Sequence, residues 1–89
     1  MATIPAFEFD ILARVIQPNA ATLSRPAAED ILKMSFGEHD QQRMTELLSK
    51  AKAGELSGFE AAEIEIYERI NSLLGMLKSK ARVSLRETP

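Results

Sequence analysis

The stretch from Ser57 to Arg82 constrains this chain more than any other. Ser57-Gly58-Phe59-Glu60 matches a capping box, in which serine and glutamate side chains satisfy each other's free backbone N–H groups. Leu56 precedes the cap, where it would staple onto Ala61. Glu60, Glu63 and Glu65 crowd the start and Lys78, Lys80 and Arg82 the end, the order a helix dipole favours. At 100° per residue, Phe59, Ile66, Tyr67, Ile70, Leu73, Leu74, Leu77 and Ala81 share one arc, with Ile64 and Met76 outside it. That arc is about 140° wide, against roughly 100° for an ordinary apolar stripe.

A helix of ~26 residues is ~39 Å long, whereas a compact chain of this size is about 30 Å across. Two short helices cannot cover such a face, and exposed apolar area of that kind marks an interface. Self-pairing is the economical solution. Two copies crossing antiparallel would set the acidic start of one beside the basic end of the other about a two-fold axis. The expected seam is Phe59, Glu63, Ile66, Tyr67, Ile70, Leu73, Leu74 and Leu77. Glu63 projects into the apolar arc and is expected to meet Lys78 or Arg82 of the second copy. The alternative is a helix that breaks near Gly75, where an interior glycine costs about 1 kcal/mol, and folds back on its own domain.

Ahead of this segment the signals are shorter. Ser24 reads as an N-cap for a helix over 25–35, with Pro26 tolerated in the first turn and Ala27, Ala28, Ile31, Leu32 and Met34 on the helix period. Gly37 reads as the next N-cap, with Glu38 and Asp40 at the positive end of the dipole. That helix is expected to run to Ala53, with Met44, Leu47, Leu48 and Ala51 inward and Gly54 as its left-handed terminator. Between Pro5 and Pro18, Phe7, Phe9, Ile11, Ala13 and Val15 alternate with the intervening residues, which reads as a strand or extended arm. The four-residue spacing of Phe7, Ile11 and Val15 also suits a helix. A lone strand would need a partner for its backbone groups. The expected organisation is therefore one all-α domain over 1–89, with an extended arm or strand at 1–22, two short helices and one long C-terminal helix, paired with a second copy in the sense just argued.

Bulk properties narrow the function. A net charge of −2 supplies no field for nucleic acid or an anionic membrane. No apolar run approaches the roughly 20 residues that span a bilayer. Glu8 and Asp10 and the lack of a basic leader argue against a secretory signal. With no cysteine, the chain has no disulfide framework or thiolate chemistry, and a cytoplasmic location is expected. His39 stands between Glu38 and Asp40, but helix neighbours do not share a face, so it reads as a solvated first-turn residue rather than a metal ligand. The glutamates at 60, 63, 65 and 68 suit the dipole and solvent better than acid–base catalysis, which needs a pocket to separate their pKa values. No nucleophile elbow or phosphate-binding loop is present. No catalytic, cofactor or metal residues are assigned. Lys78, Lys80, Arg82 and Arg86 form the one basic cluster. Dipole complement is its plain role, and phosphate contact the functional alternative.

A wider pattern accompanies these local readings. Leu23-Ser24, Ala27-Ala28, Ile31-Leu32, Phe36, Asp40, Arg43-Met44, Glu46-Leu47, Lys50-Ala51 and Gly54 are followed by Leu56, Glu60, Tyr67, Leu73-Leu74, Leu77 and Ser79-Lys80-Ala81-Arg82. This pattern resembles a family of short, largely uncharacterised bacterial proteins. Its members read approximately Leu-Ser-Pro-Glu-Ala-Ala, then Phe-Ser-x-x-Asp-x-x-Arg-Met, then Gly-x-Leu-Thr-Pro-Glu-Glu, and close with Leu-Leu-x-Leu-x-Ser-Lys-Ala-Arg. Arg14-Val15-Ile16-Gln17-Pro18 resembles the family's N-terminal segment. Arg25-Pro26 and Ser57-Gly58-Phe59 depart from the pattern, and Gly58 lacks the preset φ of proline. The family is associated with genes neighbouring HNH-type endonucleases. The resemblance thus implies an antitoxin-like or regulatory subunit for a nuclease-type protein partner. Because the motif consists mostly of caps and core, it speaks to fold more than to activity. The expectation is a non-enzymatic interaction module without cofactor, with a nucleic-acid accessory role through the basic helix end as the alternative.

Overall fold

A computed structural model describes residues 6–87, with side chains from residue 8 onward. It is all-α: α1 is Ala6–Ile16, α2 Arg25–Leu32, α3 Glu38–Lys52 and α4 Gly58–Glu87. No strand occurs among the described residues. The chain divides into two compact units. One comprises the chain up to Met34 and from Ser72 onward, the other Ser35–Asn71. The 30 residues of α4 contribute to both.

The expected N-terminal arm or strand is a helix instead, and residues 1–5 of that arm lie outside the described residues. Phe9, Leu12, Ala13 and Ile16 are half-buried while Glu8, Asp10, Ile11, Arg14 and Val15 are exposed. That is an i, i+3, i+4, i+7 face, which the apparent period-2 alternation concealed. A helix satisfies its own backbone groups, so the missing partner strand is no longer needed. Glu8 in the first turn and Arg14 in the last complement the dipole. Gln17 ends the helix with a left-handed φ of 54° and a 2.8 Å N–H bond to the Ala13 carbonyl, and Pro18 follows.

In the same unit α2 starts as expected. Ser24 Oγ accepts the Ala27 N–H at 3.3 Å. It stops at Leu32 rather than 35, and Met34, outside it, is 50% exposed. Ala28 and Ala81 are fully buried. The connector between α1 and α2 is tied to α4: Leu23 N–H donates to Ser84 Oγ at 3.2 Å, and Lys80 Nζ donates to the Gln17 and Ala20 carbonyls at 3.1 and 3.2 Å. α4 continues past Arg82 to Glu87, and the buried Ser84 of that extension carries one of these ties.

The other unit is a helical hairpin of α3 and the first half of α4. Gly37 is the N-cap of α3 without a side-chain bond. Its C-terminus forms a Schellman motif, with Glu55 N–H on the Lys50 carbonyl at 2.9 Å, Gly54 N–H on the Ala51 carbonyl at 3.1 Å and Gly54 at φ 71°. The capping box forms as read: Ser57 N–H donates to Glu60 Oε1 and Glu60 N–H to Ser57 Oγ, both at 3.1 Å. α4 does not break at Gly75, whose outward side is open: an added Cβ would meet nothing within 4 Å.

Candidate interaction surface

The seam residues expected on α4 separate into two environments. Leu73, Leu74 and Leu77 are half-buried within the unit that contains α1 and α2. The expected overhang of apolar surface is therefore partly covered in this half. In the hairpin half, Phe59 remains 83%, Ile66 47% and Ile70 46% exposed. These three share one flank of α4 at heptad-like spacing (59, 66, 70). The bonds from α3 go to the adjacent row of α4.

That adjacent row is polar. Arg43 grips Glu63 through two bonds, Nε to Oε2 and Nη2 to Oε1, both 2.8 Å. Lys50 Nζ donates to Glu60 Oε2 at 2.5 Å. Tyr67 Oη donates to Asp40 Oδ1 at 2.8 Å, and its ring meets Phe36 edge-on at 5.8 Å. Arg43 also bonds Glu46 at 2.6 Å on its own helix. Glu63 thus has an intrachain partner, Arg43, in place of the Lys78 or Arg82 of a second copy. Leu47 is the one fully buried apolar side chain of α3. Met44 is half-buried, but Leu48 and Ala51, expected inward, are exposed. The reason is that the row facing α4 is Asp40, Arg43, Leu47 and Lys50, one position displaced from the apolar set.

The electrostatics follow the geometry. The Lys50 ammonium, aided by the Ser57 N–H, brings the Glu60 carboxyl down to about 2. The Arg43 guanidinium holds Glu63 below the usual carboxylate range against the effect of burial. Arg43 in turn is pushed up by its bonds to Glu63 and Glu46. The Asp40 carboxylate, which accepts the phenol proton's bond, pushes Tyr67 up, as does burial. Alongside these rungs lies a groove of about 260 Å³ lined by Phe36, Met44, Leu47, Leu48, Ile64, Tyr67, Glu68 and Asn71.

The basic end is less available than its sequence implies. Lys80 is 8% exposed and its ammonium is engaged by two backbone carbonyls. Those carbonyls lie at and just beyond the negative end of α1, where a cation is favoured. Lys78 is half-buried, and Arg82 and Arg86 are exposed. His39 is exposed in the first turn of α3. Among the described residues no group of three or more His, Cys, Asp or Glu is placed to hold a metal ion. No helix among them is long and apolar enough to cross a membrane.

Sequence reasoning missed the Arg43, Asp40 and Lys80 roles. A signal for the first two was present: Asp40, Arg43, Leu47 and Lys50 stand at i, i+3, i+7 and i+10, and Glu60, Glu63 and Tyr67 at i, i+3 and i+7. Two such rows with complementary charge are able to zip antiparallel.

Fold and surface together define a small all-α protein with a charge-zipped hairpin and an uncovered apolar helix flank. Comparison of the chain with protein-family models, curated proteins and solved structures finds no match.

Proposed function

We propose that this chain is a non-enzymatic interaction protein of the cytoplasm that pairs with a second copy through the α4 flank bearing Phe59, Ile66 and Ile70. The observation that carries the reading is the exposure of these three side chains on one helix face, Phe59 at 83%. Phenylalanine left that far in water forgoes much of the ~2 kcal/mol that burial supplies. An antiparallel copy centred on this flank would cover it about a two-fold axis. The three side chains offer on the order of 350 Å². A two-fold pair built on them buries about 700 Å² from these groups, below the ~1,200 Å² of stable interfaces. The pairing is therefore weak and concentration-dependent.

Light scattering over a series from about 1 µM to about 1 mM is expected to show monomer passing to dimer. Phe59→Asp and Ile66→Asp are expected to move the midpoint at least tenfold without loss of helicity. A monomer throughout the series sinks the self-pairing reading. The resemblance to bacterial proteins encoded beside HNH-type endonucleases supports a further role as an antitoxin-like or regulatory subunit, with the same flank docking a nuclease. Co-purification with the neighbouring gene product, abolished by Phe59→Asp, is the expected result, and a complex indifferent to that change removes the flank as the contact.

A further inference from the structure

The attachment of α3 differs from that of an ordinary core helix. Of the four residues that face α4, three are polar, and only Leu47 is fully buried. The groove of about 260 Å³ beside Leu47, Ile64 and Tyr67 shows that apolar packing on that side is incomplete. A helix of 15 residues is marginal on its own in water, so α3 relies on these contacts to stay formed. The Arg43–Glu63 rung is partly shielded, with side-chain exposures of 28% and 26%, whereas in the Lys50–Glu60 rung Glu60 is 12% and Lys50 42% exposed, so the first is the stronger relative to a free surface pair.

We propose that α3 is a charge-latched lid on α4, released when the Arg43–Glu63, Lys50–Glu60 and Asp40–Tyr67 rungs are weakened, while the unit containing α1 and α2 stays folded. Release bares Ile64 and Tyr67 and so widens the apolar face already presented by Phe59, Ile66 and Ile70. The inference does not depend on self-pairing. The groups that set the latch are Asp40, Arg43, Glu46 and Lys50 on α3 and Glu60, Glu63 and Tyr67 on α4, with the Ser57 N–H at the cap. Glu60 and Glu63 have depressed folded-state pKa values, so their contribution is complete above the ordinary 4.5 and is lost as pH falls below it, for Glu60 toward about 2. In the other unit, the described ties of the α1–α2 connector to α4 run from Lys80 and the Leu23 N–H to uncharged carbonyl and hydroxyl oxygens.

The test is amide exchange on the whole chain, expressed as protection factors for α3 against α2. Raising salt from about 10 mM to about 1 M, which shortens the screening length from roughly 30 to 3 Å, is expected to lower α3 protection at least tenfold and leave α2 unchanged. Acidification from about pH 6 to about pH 3 is expected to do the same. Arg43→Glu should release α3 at neutral pH, and Arg43→Glu/Glu63→Arg should restore most of its protection. Tyr67, the sole tyrosine in a chain without tryptophan, reports the same event by its fluorescence. If Arg43→Glu fails to fold, the salt series on the unmodified chain decides. Loss of α3 and α2 protection together, or α3 protection indifferent to salt, overturns the latch.

Discussion

Two glycines of this chain are expected to respond to the same substitution with opposite sign. Gly75 lies inside α4, between residues with helical hydrogen bonding on both sides, and an alanine Cβ there would meet nothing within 4 Å. The steric cost is nil, and the gain is the helix-propensity difference of about 1 kcal/mol. Gly54 is equally open, but its φ is +71° in the Schellman turn that ends α3. An L-residue in that left-handed conformation costs about 1 kcal/mol or slightly more. For a chain of 89 residues, 1 kcal/mol is worth about 5 °C in Tm. Gly75→Ala should therefore melt about 5 °C higher and Gly54→Ala about 5 °C lower, a spread of about 10 °C. Thermal melts by far-UV circular dichroism at two protein concentrations measure this. A Gly75→Ala protein that melts lower refutes the continuous, solvent-facing helix at that position. If the loss grows with concentration, a second copy covers Gly75 itself.

Other expectations follow from single groups. Lys80→Met removes the donor to two carbonyls and should cost about 2 kcal/mol in urea unfolding, and an unchanged midpoint would show that water serves those carbonyls equally well. Leu47→Ala should cost about 2–3 kcal/mol, the low end for a buried leucine because a groove already adjoins the site. Its signature is loss of α3 protection before that of α2. Tyr67 has a raised folded pKa, so it favours the folded state fully below its ordinary value of 10.0 and loses that contribution as pH rises through the folded one. Phenolate absorbance should accordingly appear above that value and coincide with loss of the hairpin signal, and ordinary titration of the phenol would contradict the bond to Asp40. Lys78→Glu/Arg82→Glu/Arg86→Glu, which spares the engaged Lys80, should cost about 1 kcal/mol through the lost dipole complement at the end of α4 and leave the chain folded. If the unmodified chain binds duplex DNA in a salt-dependent manner and this variant does not, the basic end is a phosphate surface.

Local chemistry was legible wherever one short segment carries its own reason. The Ser57–Glu60 box, the Ser24 cap and the Gly54 terminator each concern groups within a few residues, and each forms as read. The N-terminal segment was misread for a related reason. Phe9, Leu12, Ala13 and Ile16 hold a helical face, but Ile11 and Val15 are apolar too, and together they imitate alternation. Which period prevails depends on what the segment packs against. The inward face of α3 was likewise misplaced, because the apolar residues Leu48 and Ala51 outweighed a polar row whose value appears only opposite Glu60, Glu63 and Tyr67.

By itself the sequence determined an all-α chain, the starts of three helices, the end of one, and an α4 rich in apolar residues, since these rest on propensity, capping and dipole effects within one or two turns. The tertiary structure decided how that apolar surface is shared out: covered around Leu73, Leu74 and Leu77, zipped by charge along Glu60, Glu63 and Tyr67, and open at Phe59, Ile66 and Ile70. The physical reason is that burial and ion pairing depend on what lies opposite a side chain in space, and partners such as Arg43 for Glu63 or the Gln17 carbonyl for Lys80 stand 20 and 63 residues away along the chain.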